Sequence, residues 1–181
     1  MSQRALEQRK RVSLPGCDFT NFAPVTRRSM QESEDCDSAE GVMPRSYNSL
    51  TLEDAKRMLS AAEAKATSLG IAYNVAVVDA GGHLLAFSRQ DGALIGSIDL
   101  AIDKALTARI FDKATSELAT LAQSGRPLFG IQESNAGKVV VFGGGIPVTF
   151  GGNIVGAVGA SAGTIEQDIA VAEAAVAALG S

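Results

Sequence analysis

Arg89, Lys104, Arg109 and Glu133 are charged residues set within or beside apolar segments, and their types can do chemistry. Arginine and lysine fix a carboxylate through charge-assisted hydrogen bonds, and a positioned glutamate or lysine carries a proton. Gly143, Gly144 and Gly145 precede an apolar run, where their backbone amides can add stabilisation to an oxyanion. Such a set suits enolisation or tautomerisation of a small unsaturated 2-hydroxy or 2-keto carboxylic acid, which requires no metal or redox cofactor. In that reading Lys104, Glu133 and Arg109 are catalytic, and Arg89, Asp91 and Gly143 to Gly145 bind the ligand. Each residue also has a plain role. Arg89 and Asp91 can brace a turn, Lys104 and Arg109 can lie on a solvated helix edge beside Asp103 and Asp112, and Glu133 can be an ordinary loop residue. The glycines can serve a bulge or a close backbone approach.

Several other chemistries find no support. No His-x-x-x-His, paired-cysteine or carboxylate-histidine spacing suggests a metal centre. The glycine run precedes a strand and lacks a following lysine-serine pair, so it does not read as a phosphate loop. The formal charge is −4 with signs mixed along the chain, which offers no footprint for nucleic acid or anionic lipid. Cys17 and Cys36 both fall in the polar N-terminal stretch, so neither a disulfide framework nor a thiolate site is indicated. No run of eighteen apolar residues exists, and the residues after Arg27-Arg28 are acidic where an export signal needs an apolar core. A cytoplasmic protein without membrane contact is the expectation.

The elements that must position these residues begin near residue 50. Residues 1–49 hold three of the five prolines and show no useful periodicity, yet carry Leu14, Phe19, Phe22 and Val25, as an arm packed on its own or a neighbouring subunit would. Residues 50–181 form one domain. Thr51 and Asp54 mark a helix start, and apolar residues recur at helical spacing from Leu52 until Gly70 ends the run. Strands over Tyr73 to Asp79 and His83 to Ser88 flank the turn Ala80-Gly81-Gly82. Ser97 can cap a helix reaching about Asp112, and Thr115 or Ser116 another reaching about Gln123. Strands over Val139 to Phe142, Ile146 to Phe150 and Asn153 to Ser161 and a helix from Ile165 to Leu179 complete five strands and four helices. Short glycine turns impose antiparallel pairing, and near-continuous apolar strands ask for helices on both faces, an α+β sandwich.

Three separated motifs, VVDAGGHLLAFSRQDGA, DKALTARIFDKATSEL and GGGIPVTFGGNIVGAVGASAGTIEQDIAVAEAA, occur in an order that resembles the GlcG/HbpS-like family. This family is also described as haem-degrading-domain or DUF336 proteins, and it includes the C-terminal domain of some PduO-type cobalamin adenosyltransferases. The likeness spans about residues 50–180. It implies a profilin-like fold with a five-stranded antiparallel sheet between helices, assembly into dimers or larger homo-oligomers, and a small ligand that is haem or an anionic metabolite. The family's RMDGA reads here Arg89-Gln90-Asp91-Gly92-Ala93, its K-P-T reads Lys113-Ala114-Thr115, and its S-G-G-T reads Ser161-Ala162-Gly163-Thr164. Haem asks for an axial donor or an apolar slot, and donors are scarce. The one histidine is His83, just after a glycine turn, while Met30 and Met43 lie in the arm and Met58 on an apolar helix stripe. Haem is therefore allowed and no cofactor is required by the residues.

Overall fold

The computed structural model describes residues 46–180, so readings that concern the N-terminal arm and its cysteines lie outside the described residues. Helix α1 (Leu52–Leu69) starts on a reciprocal cap: the Asp54 amide donates to Thr51 Oγ1 while the Thr51 amide donates to the Asp54 carboxylate at 2.9 Å. It ends where Gly70 adopts φ 68°, a left-handed conformation that costs glycine little. Ala55, Met58, Ala62 and Ala66 recur along its buried stripe.

Strands β1 (Asn74–Asp79) and β2 (Leu84–Arg89) follow, then α2 (Ser97–Ile110), α3 (Thr115–Leu121), β3 (Gly145–Phe150), β4 (Asn153–Ser161) and α4 (Ile165–Ala177). All pairings are antiparallel and the strand order is β2-β1-β4-β3. Val75 and Val77 of β1 stand opposite Ala160 and Val158 of β4, facing a core shared with α1 and α4. Their alternates Ala76 and Val78 stand opposite Gly159 and Ala157, and this face packs on Ala101, Ala105 and Ala108 of α2. Helices thus cover both faces, as the apolar runs require.

The second face is built for close approach. A Cβ at Gly159 would lie 2.1 Å from the Ala101 carbonyl oxygen, and one at Gly145 would lie 2.4 Å from the Lys104 carbonyl oxygen. The α2 backbone therefore rests directly on the strand backbones, and the glycines at these points are steric necessities.

The sheet has four strands among the described residues, where the sequence and the family resemblance lead one to expect a five-stranded profilin-like sheet. The fifth segment, Val139 to Phe142, is not a strand. Val139 and Val140 are buried, but the Val140 amide donates to Thr107 Oγ1 at 3.0 Å, and that hydroxyl in turn donates to the Lys138 carbonyl oxygen. A helix side chain has taken the partner that a neighbouring strand would supply. Ser97 and Thr115 likewise do not act as caps. Both are the first residues inside their helices, and Thr115 Oγ1 instead accepts from the Gly145 amide at 2.9 Å.

Candidate functional site

Lys104 lies on the α2 face turned toward β4 and is completely buried. Its ammonium donates to the Ala160 carbonyl oxygen at 3.0 Å and to Asp168 Oδ2 at 2.5 Å, and it stands 4.7 Å from the centre of the Phe142 ring. Asp168, in the first turn of α4, also accepts from the amides of Ala162 and Gly163 through its other oxygen. Burial pulls the Lys104 pKa below its ordinary value, and the Asp168 carboxylate opposes that pull. Tyr73 faces the same pair. Its hydroxyl is buried with no hydrogen bond of acceptable geometry among the described residues, and burial followed by the charge of Asp168 raises its pKa.

A lysine and two backbone amides thus hold a carboxylate, but it is the protein's own. Gly144 explains the tight fit, because a Cβ there would lie 2.7 Å from the Ala160 carbonyl oxygen and 2.8 Å from Lys104 Nζ. The Gly145 amide is engaged by Thr115 and all three glycines are buried, so the run serves close approach and does not line an open site. Lys104 is neither on a solvated helix edge nor within reach of an external acid.

Glu133 stands exposed in a short 3-10 turn (Ile131–Glu133), so it shares no solvent-reaching site with Lys104. Arg89 is exposed at the end of β2, and Asp91 is exposed in the following turn. The set expected from the sequence is therefore dispersed: Lys104 and the glycines come together inside, while Arg89, Asp91 and Glu133 stand apart from them at the surface.

A different grouping forms at the β1–β2 turn. Asp79 Oδ1 accepts from the amides of Gly81 (2.8 Å) and His83 (2.9 Å) and lies 3.5 Å from His83 Nδ1. Burial works to raise the Asp79 pKa, but these N–H bonds and the imidazole outweigh it and hold it below the ordinary value. The His83 side chain is 84% exposed. Asp79 lies on the Nδ1 side of the ring, so Nε2 is directed away from that carboxylate. Gly82, at φ 79°, places the turn against α2: its Cβ position lies 3.2 Å from Leu106, 3.6 Å from Ile110 and 3.9 Å from the Arg109 stem. Leu84, next to His83, and Ile110 of α2 are exposed apolar side chains in these segments. Arg109 bonds Asp112 at 2.5 Å, and its buried Nε has no partner among the described residues.

Two concavities are also present. One of about 520 Å³ is lined by Tyr47, Leu50, Phe150, Val176 and Leu179, with Arg57 at its edge already paired to Asp54. The other, about 400 Å³ and open, lies over Lys113, Glu117 and Leu121. Among the described residues no group of three or more His, Cys, Asp or Glu side chains is placed to hold a metal ion, and no helix is long and apolar enough to cross a membrane.

Asp79, Asp168, Tyr73 and Thr115 were not singled out as site residues in the sequence. The signal for Asp168 was present: a lysine inside an alanine stripe needs a buried anion, and the acidic first turn of α4 could supply one.

Residues 50–177 match the family model described as haem degrading protein HbpS-like. An uncharacterised 15.0 kDa protein from the dhaT-dhaS intergenic region of Citrobacter freundii is 42% identical over 127 residues, covering 70% of this chain and 89% of that protein. The crystal structure of Klebsiella pneumoniae protein ORFY, of family DUF336, is 37% identical with a TM-score of 0.75, covering 76% of this chain and 95% of that one. The crystal structure of a PduOC:heme complex is likewise 37% identical, with a TM-score of 0.71 and coverage of 73% and 96%.

Proposed function

The chain belongs to the HbpS-like family, and on that premise we propose that it binds haem at the β1–β2 turn, with His83 Nε2 as the iron donor. The observation that carries the reading is the likeness to a domain whose crystal structure is a complex with haem. The donor chemistry of this chain agrees with it. His83 is exposed, its Nδ1 lies 3.5 Å from Asp79 Oδ1, and it stands in a turn packed on α2.

When bound, haem supplies iron whose reactivity is set by its axial ligand and by the polarity around it. The protein's own part is to orient one imidazole and to offer an apolar border from Leu84 and Ile110. Among the described residues this donor lies on an open surface, which suits sequestering or handing on the group better than holding it permanently. The tautomerase reading has no geometric support, since Lys104 is sealed by Asp168 and Glu133 stands apart at the surface. An anionic metabolite at Lys104 would have to displace a buried carboxylate.

Titration with hemin should give a saturable Soret shift. His83→Ala should abolish or strongly weaken that shift, and free imidazole should restore part of it. No shift at tens of micromolar, or an unchanged shift in the variant, would refute the assignment.

A further inference from the structure

We propose that Arg109 is the anchor for the carboxylates of the haem bound at His83, so that the site selects dianionic porphyrins; this rests on the haem reading above. Haem in its common form carries two propionates, and a chain of net charge −4 repels such an anion unless a local cation receives it. Arg109 is the cation that the fold places under the turn. Its hydrocarbon stem lies 3.9 Å from the Gly82 Cβ position, one residue from His83, and the side chain as a whole is only 19% exposed, which strengthens any charge contact it makes.

The guanidinium is also under-used. Arginine offers five N–H donors in a planar fork, yet the described residues give it one partner, Asp112, and leave Nε buried and unpaired. Buried polar atoms are nearly always satisfied, so the orphan shows that the donors of this guanidinium are not all used within the described residues. Asp112 shows what kind of acceptor the fork takes. It is a carboxylate, 56% exposed by side chain and held at φ 51°, a left-handed conformation unusual for a residue other than glycine. Asp112 itself stands at the surface, so a propionate can share the fork with it.

The test compares hemin with hemin dimethyl ester, whose propionates carry no charge, by Soret titration of the full chain in one dilute-detergent buffer. The wild-type protein should prefer hemin by about tenfold or more, the loss expected for a charge-assisted hydrogen bond. Arg109→Gln should erase the preference by weakening hemin alone. Arg109→Lys, which keeps the stem and the charge but not the fork, should retain part of it. Asp112→Asn removes the competing carboxylate without touching the Gly82 contact, so it should tighten hemin and leave the ester unchanged. A wild-type hemin-to-ester ratio in both Arg109→Gln and Asp112→Asn overturns the anchor while a His83-dependent Soret band leaves haem binding standing. Absence of hemin binding in the wild-type protein overturns both.

Discussion

Lys104 is the residue at which the two readings of this chain part. As a ligand-binding cation it could be replaced by methionine with loss of carboxylate affinity and little effect on the fold. Buried against Asp168, it has a different role. Breaking a buried pair by removing one partner leaves an uncompensated charge, and Lys104→Met should destabilise the protein by about 3–5 kcal/mol. The Ala162 and Gly163 amides still bond Asp168, which places the expected loss toward the lower end. Adding Asp168→Asn should recover part of the loss, and chemical denaturation of the two variants measures both effects. Unchanged stability in Lys104→Met would refute the buried pair.

At the scale of elements, α1 and the turn before β3 make opposite demands on their residues. The Thr51 hydroxyl and amide, with Arg57, hold the Asp54 carboxyl at about 2, below its ordinary 3.8. A folded pKa below the unfolded one contributes stability above the unfolded value and loses it as pH falls. The α1 cap should therefore weaken as pH drops from about 4 through about 2, and the acid limb of an unfolding profile should be shallower in Asp54→Asn. Ala136 sits at φ 59° between Asn135 and Gly137, also at positive φ. Relief of that strain should let Ala136→Gly raise stability by about 1 kcal/mol, read as a higher denaturant midpoint. Most of this layer was legible in the sequence. The cap of α1, the Gly70 stop and the antiparallel turns follow from local chemistry. Val139 to Phe142 did not, because an apolar β-branched run says only that a segment is buried, and the partner of the Val140 amide is the Thr107 side chain on a distant element. The buried pair at the expected site residue Lys104 was the least legible part: the reach between Lys104 and Asp168 spans α2 to α4, and no spacing within one motif records it.

The whole molecule presents large apolar side chains to solvent among its described residues, including Leu94, Ile95, Phe129 and Phe150. Its outer strands β2 and β3 have no further strand beside them among the described residues. Exposed apolar side chains and open strand edges are surfaces on which another copy of the chain can pack. Light scattering of the full protein should give a dimer multiple, and Ile95→Asp should shift it toward monomer if the loop before α2 takes part; a strict monomer at micromolar concentration would count against assembly. The seam where α2 rests on Gly145 and Gly159 has a consequence for how such a protein can diverge. At those two points the nearest atoms are backbone, which cannot step aside for a methyl group, so a lineage carrying this packing is held to glycine there. The His83 turn, one segment away, meets α2 through flexible side-chain ends and carries its chemistry outward. Substitutions are therefore accommodated more readily at that turn than at the seam beneath it.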